Sequence, residues 1–394
     1  MKLLWVKTDY LHPTDRGGQI RSLEMLKRLH AWHEVDYLTL SDGTNEEGPR
    51  RASEYCRRHF AVPHKVREKT SPGFALDLAA GLAAELPLAI HRWQSEEMRK
   101  VAREWDAAEQ YDAMVCDFLV PAASLDHWER MVLFQHNVEA LIWERHVEQA
   151  RNWPQRWYLA QQAKKMARFE QKASQSFRRV ICVSEQDAAL TRSRYGRADA
   201  AWVPTGVDTE YFARPADSAT PDLDLIFLGS MDWLPNIEGA AWLAEEILPR
   251  IWAQRPETRV ALVGRRPTES VSRLAEDKRI VVTGTVPDVR PWLWRAKASI
   301  VPLRIGGGTR LKIYEAMAAG VATVATPIGA EGLAVRDGDN ILLAETAEAF
   351  AQACLKVLAQ RELRERLAQQ ARRDTETDHG WEAVTRKFEA LLFC

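Results

Sequence analysis

Residues 305–320 read IGGGTRLKIYEAMAAG and closely follow the apolar run Ala298–Val301. The run is short and apolar, as in a buried strand, and the residues after the glycines open a helix. The three adjacent glycines between them allow the backbone to approach a ligand closely. The order of strand, glycine turn and helix is the repeating unit of α/β proteins and predicts a parallel sheet in this half of the chain.

The same order recurs outward from this stretch over the whole chain. The segment Ile20–Trp32, for example, carries apolar residues at near-helical spacing between two apolar runs. Continuous apolar strands separated by helices indicate parallel sheets covered on both faces. The pattern occurs twice, so the predicted fold class is α/β, with two facing doubly wound Rossmann-like domains. The predicted strands are Leu3–Val6, Val35–Leu40, Ala113–Cys116, Met131–Phe134 and Val180–Val183, then Leu225–Leu228, Val260–Val263, Ile280–Val282, Ala298–Val301, Ala322–Ala325 and Ile341–Leu343.

The chain length and a stretch rich in glycine and proline set the predicted domain boundaries. A chain of 394 residues exceeds one ordinary core. The stretch Thr205–Asp224 contains Gly206, Pro215 and Pro221, and its apolar residues follow neither helical nor strand spacing. Such a stretch is typical of a linker. We predict an N-terminal domain of residues 1–208, a C-terminal domain of residues 209–377 and a last helix of about 378–394 that packs back on the first domain. Two such sheets with facing carboxyl ends would form an interdomain cleft for both substrates.

Composition excludes several classes of partner. The chain has 54 basic and 55 acidic residues, a net charge of −1, which gives no reason to expect nucleic acid. The longest apolar stretch, Phe74–Ile90, contains two acids and a proline and is too short and polar to span a bilayer. The five cysteines lack metal-ligand or redox spacing and are expected to be buried thiols in a reducing cytoplasm. They are Cys56, Cys116, Cys182, Cys354 and Cys394.

The glycine segment also carries charge in an informative order. Arg310 and Lys312 place two cations in the first turn of the predicted helix, and Glu315 follows one turn later. Cations there oppose the helix dipole, so they indicate a bound anion, to which free N–H groups of a helix start also contribute. Glu315 suits two vicinal hydroxyls, as on a ribose. The alternative is a glycine turn before a helix with ordinary surface charges, and we favour the anion site.

Other candidates follow strands elsewhere in the chain. Gly17 and Gly18 lie between the first strand and the first helix, where they form either a tight turn or a site for a diphosphate. His136 follows the strand Met131–Phe134, and such a histidine is either a ligand contact or a satisfied polar residue. Gly229 and Gly264 each end a strand, where glycine either opens space at a cleft or serves packing.

The segment 151–179 is strongly basic. It contains eight basic residues against one acidic residue, Glu170, with large apolar residues interleaved. One interpretation is a face for anionic lipid headgroups, which would place the protein peripherally at the inner face of the membrane. The favoured alternative is a solvated helix that packs its aromatic side chains inward. The interleaved residues are Trp153, Trp157, Tyr158, Met166 and Phe169.

The sequence lacks the motifs of several common enzyme classes. The chain lacks the G-x-S-x-G, H-E-x-x-H and Walker patterns. We also expect no Asp-x-Asp pair that would hold a divalent metal on a diphosphate, and the glycine segment carries Arg310 and Lys312, so we predict no metal ion and no cofactor.

These residues together resemble a known family. The segment Gly306–Gly320, followed by 324–326 and 328–333, resembles the donor site of retaining glycosyltransferases of the GT-B fold, family four (group 1). The likeness continues through 183–185, 203–208, Gly17–Gly18 and His136–Asn137, and so extends over essentially the whole chain.

The resemblance implies roles for individual residues. Glu315 matches the second glutamate of the family's E-x7-E signature, which binds the donor ribose, and Arg310 and Lys312 match the cations on the diphosphate. The glycine turn closes over the diphosphate, and His136 lies near the transferred sugar. The catalytic candidates are His136, Arg310 and Lys312, and the donor-binding candidates are Gly17, Gly18, Gly229, Gly264, Gly307, Gly308, Thr309, Arg310, Lys312, Glu315 and Glu331.

Three positions depart from the family pattern. Gly307 stands where the first glutamate of the signature is usual, and that residue normally contacts the donor sugar. Thr205 stands where asparagine is common. The basic residue expected after the strand that ends at Gly229 is absent, and Asn236 lies near its place.

The resemblance implies a retaining, metal-independent glycosyltransferase. It would move a sugar from a nucleoside-diphosphate sugar, such as a UDP- or GDP-sugar, to a hydroxyl of a sugar, lipid-linked or small-molecule acceptor. Polysaccharide, glycolipid or glycoconjugate synthesis is the expected setting. Two alternatives stay open: a nucleotide-sugar 2-epimerase of the same fold, and a catalytically silent nucleotide-sugar-binding module.

Overall fold

The computed structural model describes residues 1–14, 17–68, 71, 73–148, 150, 152–216, 220–305 and 311–393. The chain divides into two compact units. The first consists of Met1–Pro204 and Val384–Cys394, and the second of Thr205–Ala383.

The first unit is built on a seven-stranded parallel sheet with the order β3-β2-β1-β4-β5-β6-β7. β1 pairs with β2 on one side, Leu3 opposite Val35, and with β4 on the other, Leu3 opposite Ala113. The chain therefore moves outward from β1 and returns to its other side, which makes the gap between β1 and β4 the topological switch point. The strands are β1 (Lys2–Val6), β2 (Glu34–Ser41), β3 (Arg58–Pro63), β4 (Ala113–Asp117), β5 (Met131–Gln135), β6 (Arg179–Cys182) and β7 (Ala201–Trp202).

In the described part of the chain, α-helices lie between these strands. They are α1 (Gly17–Trp32), α2 (Glu47–Arg51), α3 (Phe74–Ala83), α4 (Leu88–His91), α5 (Glu96–Glu109), α6 (Glu139–Glu148), α7 (Trp153–Ser176) and α8 (Glu185–Tyr195). Side-chain caps begin several of them: Ser95 accepts from Met98 N at α5, and Ser184 accepts from the backbone N–H of residue 187 at α8. α8 ends at Gly196 with a φ of 68°, a left-handed conformation that glycine adopts without strain.

The second unit repeats the architecture with six parallel strands in the order β10-β9-β8-β11-β12-β13. β8 pairs with β9, Leu225 opposite Val260, and with β11, Leu225 opposite Ala298. The switch point here lies between β8 and β11. The strands are β8 (Leu223–Leu228), β9 (Val260–Val263), β10 (Ile280–Val282), β11 (Ala296–Val301), β12 (Ala322–Ala325) and β13 (Leu342–Leu343).

The helices of the second half are α9 (Leu234–Trp242), α10 (Leu248–Trp252), α11 (Glu269–Ser272), α12 (Arg290–Arg295), α13 (Leu311–Ala318), α14 (Ala347–Ala359), α15 (Arg361–Asp374) and α16 (Trp381–Phe393). From Val384 onward α16 belongs to the first unit, where Phe388 packs with ring centroids 5.7 Å from Trp5 and 4.8 Å from Phe134.

All eleven strands expected from apolar runs are present, with ends that shift by at most two residues. The sequence did not predict β3 and β7. β3 begins Arg58-His59 and is exposed at several positions, as an edge strand permits, so it lacks the continuous apolar pattern. β7 has only two residues.

The linker prediction for Thr205–Asp224 is wrong at its beginning. Thr205 and Val207 are buried in the second unit, and Val207 N donates to His379 O at 2.8 Å. Trp381 lies against Gly206, where a Cβ would approach its ring to 2.2 Å. The segment is therefore a packed part of the unit.

Two other expectations can be compared with the structure. Cys56, Cys116, Cys182 and Cys354 are buried free thiols, and Cys394 lies outside the described residues. The apolar stretch Phe74–Ile90 forms α3 and most of α4, separated by a short break. No helix in the described part of the chain is both long and apolar enough to cross a membrane.

The basic segment forms α7, and its one acidic residue has a structural role. Glu170 is fully buried and accepts from the backbone N–H groups of Glu139 and Ala140 at 2.7 and 2.8 Å, which caps the start of α6. The expectation that the aromatic side chains pack inward holds for Phe169, but it is wrong for Trp153 and Trp157, which are 76% and 48% exposed.

Candidate functional site

In the second unit, Lys312 lies at the carboxyl end of β8. The residue is in the first turn of α13, and its Nζ donates to Asn236 Oδ1 at 2.8 Å and lies 4.8 Å from the centre of the Phe227 ring. Asn236 is buried at the start of α9, and its Nδ2 donates to Ser230 O at 2.8 Å. The amide is thus oriented so that its oxygen faces the ammonium group.

Gly229 makes room for this cluster. A Cβ at Gly229 would lie 2.5 Å from Asn236 Nδ2 and 2.9 Å from Lys312 Nζ. A Cβ at Gly264 would lie 1.7 Å from Gly229 O, so the chain leaving β9 passes directly against the chain leaving β8. Only glycine permits both approaches, and packing accounts for Gly264 by itself.

Glu315 lies one turn after Lys312 on α13 and is half-buried. Burial raises the pKa of its carboxyl group to about 7, and the positive charge of Lys312 acts in the opposite direction. The helix therefore presents a cation and, one turn later, a carboxylate that titrates near neutrality. Perturbed pKa values cluster at functional sites, so Glu315 stays a candidate.

The loop after β12 folds over the end of β11. Gly329 N donates to Thr326 Oγ1 at 2.9 Å, and a Cβ at Gly329 would lie 2.8 Å from Val301 O. Glu331 is exposed in this loop. The carboxyl ends of β8, β11 and β12 thus carry Lys312, Glu315 and the Glu331 loop on one edge of the sheet.

The second unit also contains two Asp-x-Asp pairs, a pattern that can hold a divalent metal. Asp222 and Asp224 stand at the amino end of β8, away from this edge, where they pair with Arg295 at 2.7 Å and Lys297 at 2.8 Å. In the other pair, Asp337 and Asp339, the second residue pairs with Arg336 at 2.8 Å. Basic partners occupy three of these four carboxylates.

In the first unit, a buried cluster lies at the switch point between β1 and β4. Lys7 follows β1, Asp117 ends β4 and His136 follows β5. Lys7 Nζ lies 3.0 Å from Asp117 Oδ2, and His136 Nε2 lies 2.8 Å from Asp117 Oδ1. All three side chains are buried.

Gly17 and Gly18, expected between the first strand and the first helix, are instead the first two residues of α1, and Gly18 contacts the same cluster. Phe118 has a φ of 72°, and its ring stacks on that of His136 with centroids 3.9 Å apart. A Cβ at Gly18 would lie 2.6 Å from Phe118 Cζ and 3.6 Å from His136 Nδ1. Gly18 is thus glycine because the start of α1 passes directly over these two rings.

A second shifted carboxyl group follows His136. Asn137 Nδ2 donates to Glu139 Oε1 at 3.5 Å. Burial, with a contribution from the charge of Glu170, raises the pKa of Glu139 to about 7. The segment after β5 therefore carries two titratable groups, a histidine and a carboxyl group.

The structure brings the predicted residues together in two sets, one in each unit. Gly18 and His136 are in contact in the first, and Gly229, Gly264 and Lys312 in the second. Gly307, Gly308, Thr309 and Arg310 lie outside the described residues. Gly17 is the first residue of α1.

Sequence reasoning missed Lys7 and Asp117, and it gave Asn236 no role. A signal for the first two was present, since each is a charged residue that directly ends a continuous apolar strand. No signal in the sequence shows that Asn236 pairs with Lys312, because the two residues are far apart in the chain.

Comparison with known proteins places this arrangement in a family. Residues 16–211 match the model described as Glycosyltransferase Family 4, and residues 222–360 match the model described as Glycosyl transferases group 1. The two ranges together cover most of the chain, the first from α1 to beyond β7 and the second all six strands of the second sheet.

The similarity to solved structures of the same fold covers 99–100% of this chain. Sucrose-phosphate synthase from Thermosynechococcus elongatus is 17% identical with a TM-score of 0.69, covering 99% of this chain and 98% of that one. Anabaena Alr3699/HepE, in complex with UDP and glucose, is 13% identical with a TM-score of 0.65, covering 100% and 99%. WaaG, a glycosyltransferase involved in lipopolysaccharide biosynthesis, is 17% identical with a TM-score of 0.65, covering 99% of each chain. With two Rossmann-like parallel sheets and family matches over both, the chain is a glycosyltransferase of the GT-B fold and belongs to family 4, group 1.

Proposed function

We propose that the protein transfers a sugar, with retention and without a metal ion, from a nucleoside-diphosphate sugar to an acceptor hydroxyl. The observation that carries the proposal is the Lys312 ammonium group held by Asn236 against Gly229, at the switch point of the second sheet. Ligands of doubly wound sheets bind at such points, and a fixed cation there is suited to a diphosphate.

The chemistry follows from the charge that develops during transfer. As the bond to the anomeric carbon breaks, the leaving nucleoside diphosphate gains negative charge, and preorganised positive groups stabilise it. Lys312 has this role in the proposal, together with Arg310 and the N–H groups of the glycine segment. Glu315 binds the ribose hydroxyls. The departing phosphate assists the acceptor hydroxyl from the same face, so the mechanism has no dedicated base.

The similar proteins support a choice of donor and setting. The Anabaena structure contains UDP and glucose, which favours a UDP-sugar over a GDP-sugar as donor. WaaG acts in lipopolysaccharide biosynthesis, which supports a sugar or lipid-linked acceptor in glycoconjugate or polysaccharide synthesis. In this proposal the reaction takes place in the cytoplasm.

Product release separates the proposal from its two rivals. The protein is screened for thermal stabilisation by nucleoside diphosphates and their sugars, since a ligand raises stability by mass action. Stabilising donors are then incubated with and without candidate acceptors. Acceptor-dependent release of the nucleoside diphosphate supports transfer. Isomerisation of the donor sugar without acceptor would indicate an epimerase, and binding without any turnover a silent module.

The reaction is expected to proceed in excess chelator. Lys312 and Arg310 supply the charge that a divalent ion would otherwise supply, and basic partners occupy most of the two Asp-x-Asp pairs. The measurement is the transfer rate with chelator and after readdition of magnesium. Loss of activity that magnesium restores would overturn the metal-free mechanism.

We further propose that the N-terminal half of α7 rests on an anionic membrane surface. Trp153 and Trp157 are exposed on neighbouring turns, and the exposed basic residues Arg156, Lys164 and Arg168 lie on the same helix. α3 packs beside this helix, with Lys165 Nζ donating to its last carbonyl groups, and adds exposed apolar surface. Exposed tryptophan with basic residues is the composition of an interfacial helix.

Replacing Trp153 and Trp157 together with serine is expected to lower binding to vesicles containing anionic lipid several-fold. Co-sedimentation with such vesicles measures the effect, and added salt should weaken the parent's binding as well. Trp202→Ser is the matched control, because Trp202 is an exposed tryptophan elsewhere in the same unit. Equal loss in the control, or none in the double variant, would contradict the membrane contact.

A further inference from the structure

The two oxygens of Asp117 have different partners. Oδ2 accepts from Ser22 Oγ at 2.6 Å and from Trp5 Nε1 at 3.0 Å, and the Lys7 ammonium lies 3.0 Å away. Oδ1 lies 2.8 Å from His136 Nε2. Three donors at one oxygen hold Asp117 as a carboxylate, and the second oxygen is left to the histidine.

The buried charges around His136 are already positive without it. Lys7 and Arg21 are buried cations and Asp117 is one buried carboxylate, so an imidazolium would add a further buried positive charge. The charged groups that act on His136 are Lys7 after β1, Asp117 at the end of β4 and Arg21 from α1. Burial lowers the pKa of His136 to about 4, Asp117 acts against this shift, and Lys7 and Arg21 contribute to it.

The same contacts determine which ring nitrogen carries the proton. The pair lacks the angle of a hydrogen bond, but a lone pair on Nε2 would repel the carboxylate oxygen 2.8 Å away, so Nε2 carries the hydrogen and Nδ1 has the lone pair. The ring cannot turn freely, because it stacks on Phe118 with an interplanar angle of 12°. Nδ1 faces Gly18 at the start of α1, where a Cβ would lie 3.6 Å away.

We propose that Lys7 and Asp117 are positioning residues that keep His136 a neutral hydrogen-bond acceptor beside the start of α1. Lys7 acts through Asp117, because its ammonium group balances the charge of the carboxylate. Without Lys7, the aspartate would draw a second proton onto the imidazole. An acceptor nitrogen binds a hydroxyl group and repels a phosphate oxygen. The proposal rests on the proposed sugar transfer for its kinetic consequence, but the state of the ring is a property of the free protein.

The test uses Lys7→Met, which keeps most of the side-chain length and removes the charge. The ring nitrogen resonances of His136 are followed by NMR from pH 5 to pH 8 in the free protein. In the parent we expect no titration in this range and a proton on Nε2. In Lys7→Met we expect a His136 proton affinity at least tenfold higher, so that the ring titrates within the range. Unchanged titration in a folded Lys7→Met protein would overturn the proposal.

A kinetic arm separates this role from a merely structural one. Loss of structure would lower kcat/KM equally at every pH, whereas protonation of His136 should halve the kcat/KM of Lys7→Met at the pH at which NMR finds the ring half protonated, and lower it further below that pH. The double variant Lys7→Met/Asp117→Asn removes both charges and should return the ring to the neutral state. If Lys7→Met does not fold, the NMR titration is done on this double variant and on Asp117→Asn. Titration of His136 between pH 5 and pH 8 in either variant would contradict the proposal. A protein that transfers no sugar would fail the kinetic arm alone.

Discussion

Replacing Lys312 with alanine is expected to lower kcat/KM at least tenfold, because the variant loses the cation that we place on the donor diphosphate. A charge-assisted hydrogen bond contributes on the order of 1.5–3 kcal/mol, and about 1.4 kcal/mol is a factor of ten. Charge on the diphosphate grows as the bond breaks, so part of the loss should appear in kcat. We expect the same size of effect for Arg310→Ala. Steady-state kinetics measure both.

The matched control is Lys297→Ala. Lys297 is a partly exposed lysine of the same unit that pairs with Asp224 at the opposite end of the sheet. A pair of this kind contributes little, so its kinetics should stay close to those of the parent. Asn236→Ala leaves the Lys312 charge but removes the oxygen that orients it, and a smaller loss is expected. Near-parental kinetics in both Lys312→Ala and Arg310→Ala would mean that the anion site lies elsewhere.

Replacing Glu315 with alanine is expected to raise KM more than it lowers kcat. The ribose does not change during transfer, so a contact to its hydroxyls contributes equally to ground and transition states. Affinity for the plain nucleoside diphosphate should fall by a similar factor. Glu315→Gln keeps the size and one acceptor oxygen and should have a smaller effect. A fall in kcat with unchanged KM would contradict the ribose contact.

The raised pKa of Glu315 adds a pH dependence to this prediction. Burial raises the pKa to about 7, so in the free protein the group is mostly protonated at pH 6 and mostly ionised at pH 8. Ribose hydroxyls donate better to a carboxylate, so affinity for the diphosphate should rise over this interval. The ligand's phosphate also titrates there, but Glu315→Gln experiences the same ligand change. The difference between the two pH profiles therefore reports Glu315, and identical profiles would contradict its role.

The sequence predicted the parts of the fold that depend on continuous apolar strands. β8, β9 and β11 are buried, and their apolar runs are visible in the chain without reference to any partner. β3 was missed because one half of an edge strand faces solvent and needs no apolar side chains. The beginning of the linker was mispredicted because Thr205 and Gly206 are not apolar, although they are buried against residues near Trp381.

The candidate site was predictable only where its residues are neighbours in sequence. Lys312 and Glu315 lie within one short helix, so their order alone indicated an anion and a sugar. The Asp117 cluster depends on residues from three strands, and no local pattern shows that a lysine at position 7 meets an aspartate at position 117. Such pairing is set by the strand order, which places β1 beside β4.

The central claim is that the donor nucleotide binds at the carboxyl edge of the second sheet. Calorimetric titration of UDP into the parent, the Lys297→Ala control and the Lys312→Ala/Glu315→Ala double variant tests it most directly. We predict equal affinities for the parent and the control, and an affinity at least tenfold lower for a folded double variant. Equal affinity in all three proteins would show that the nucleotide binds elsewhere and would contradict the assignment of α13 to the donor.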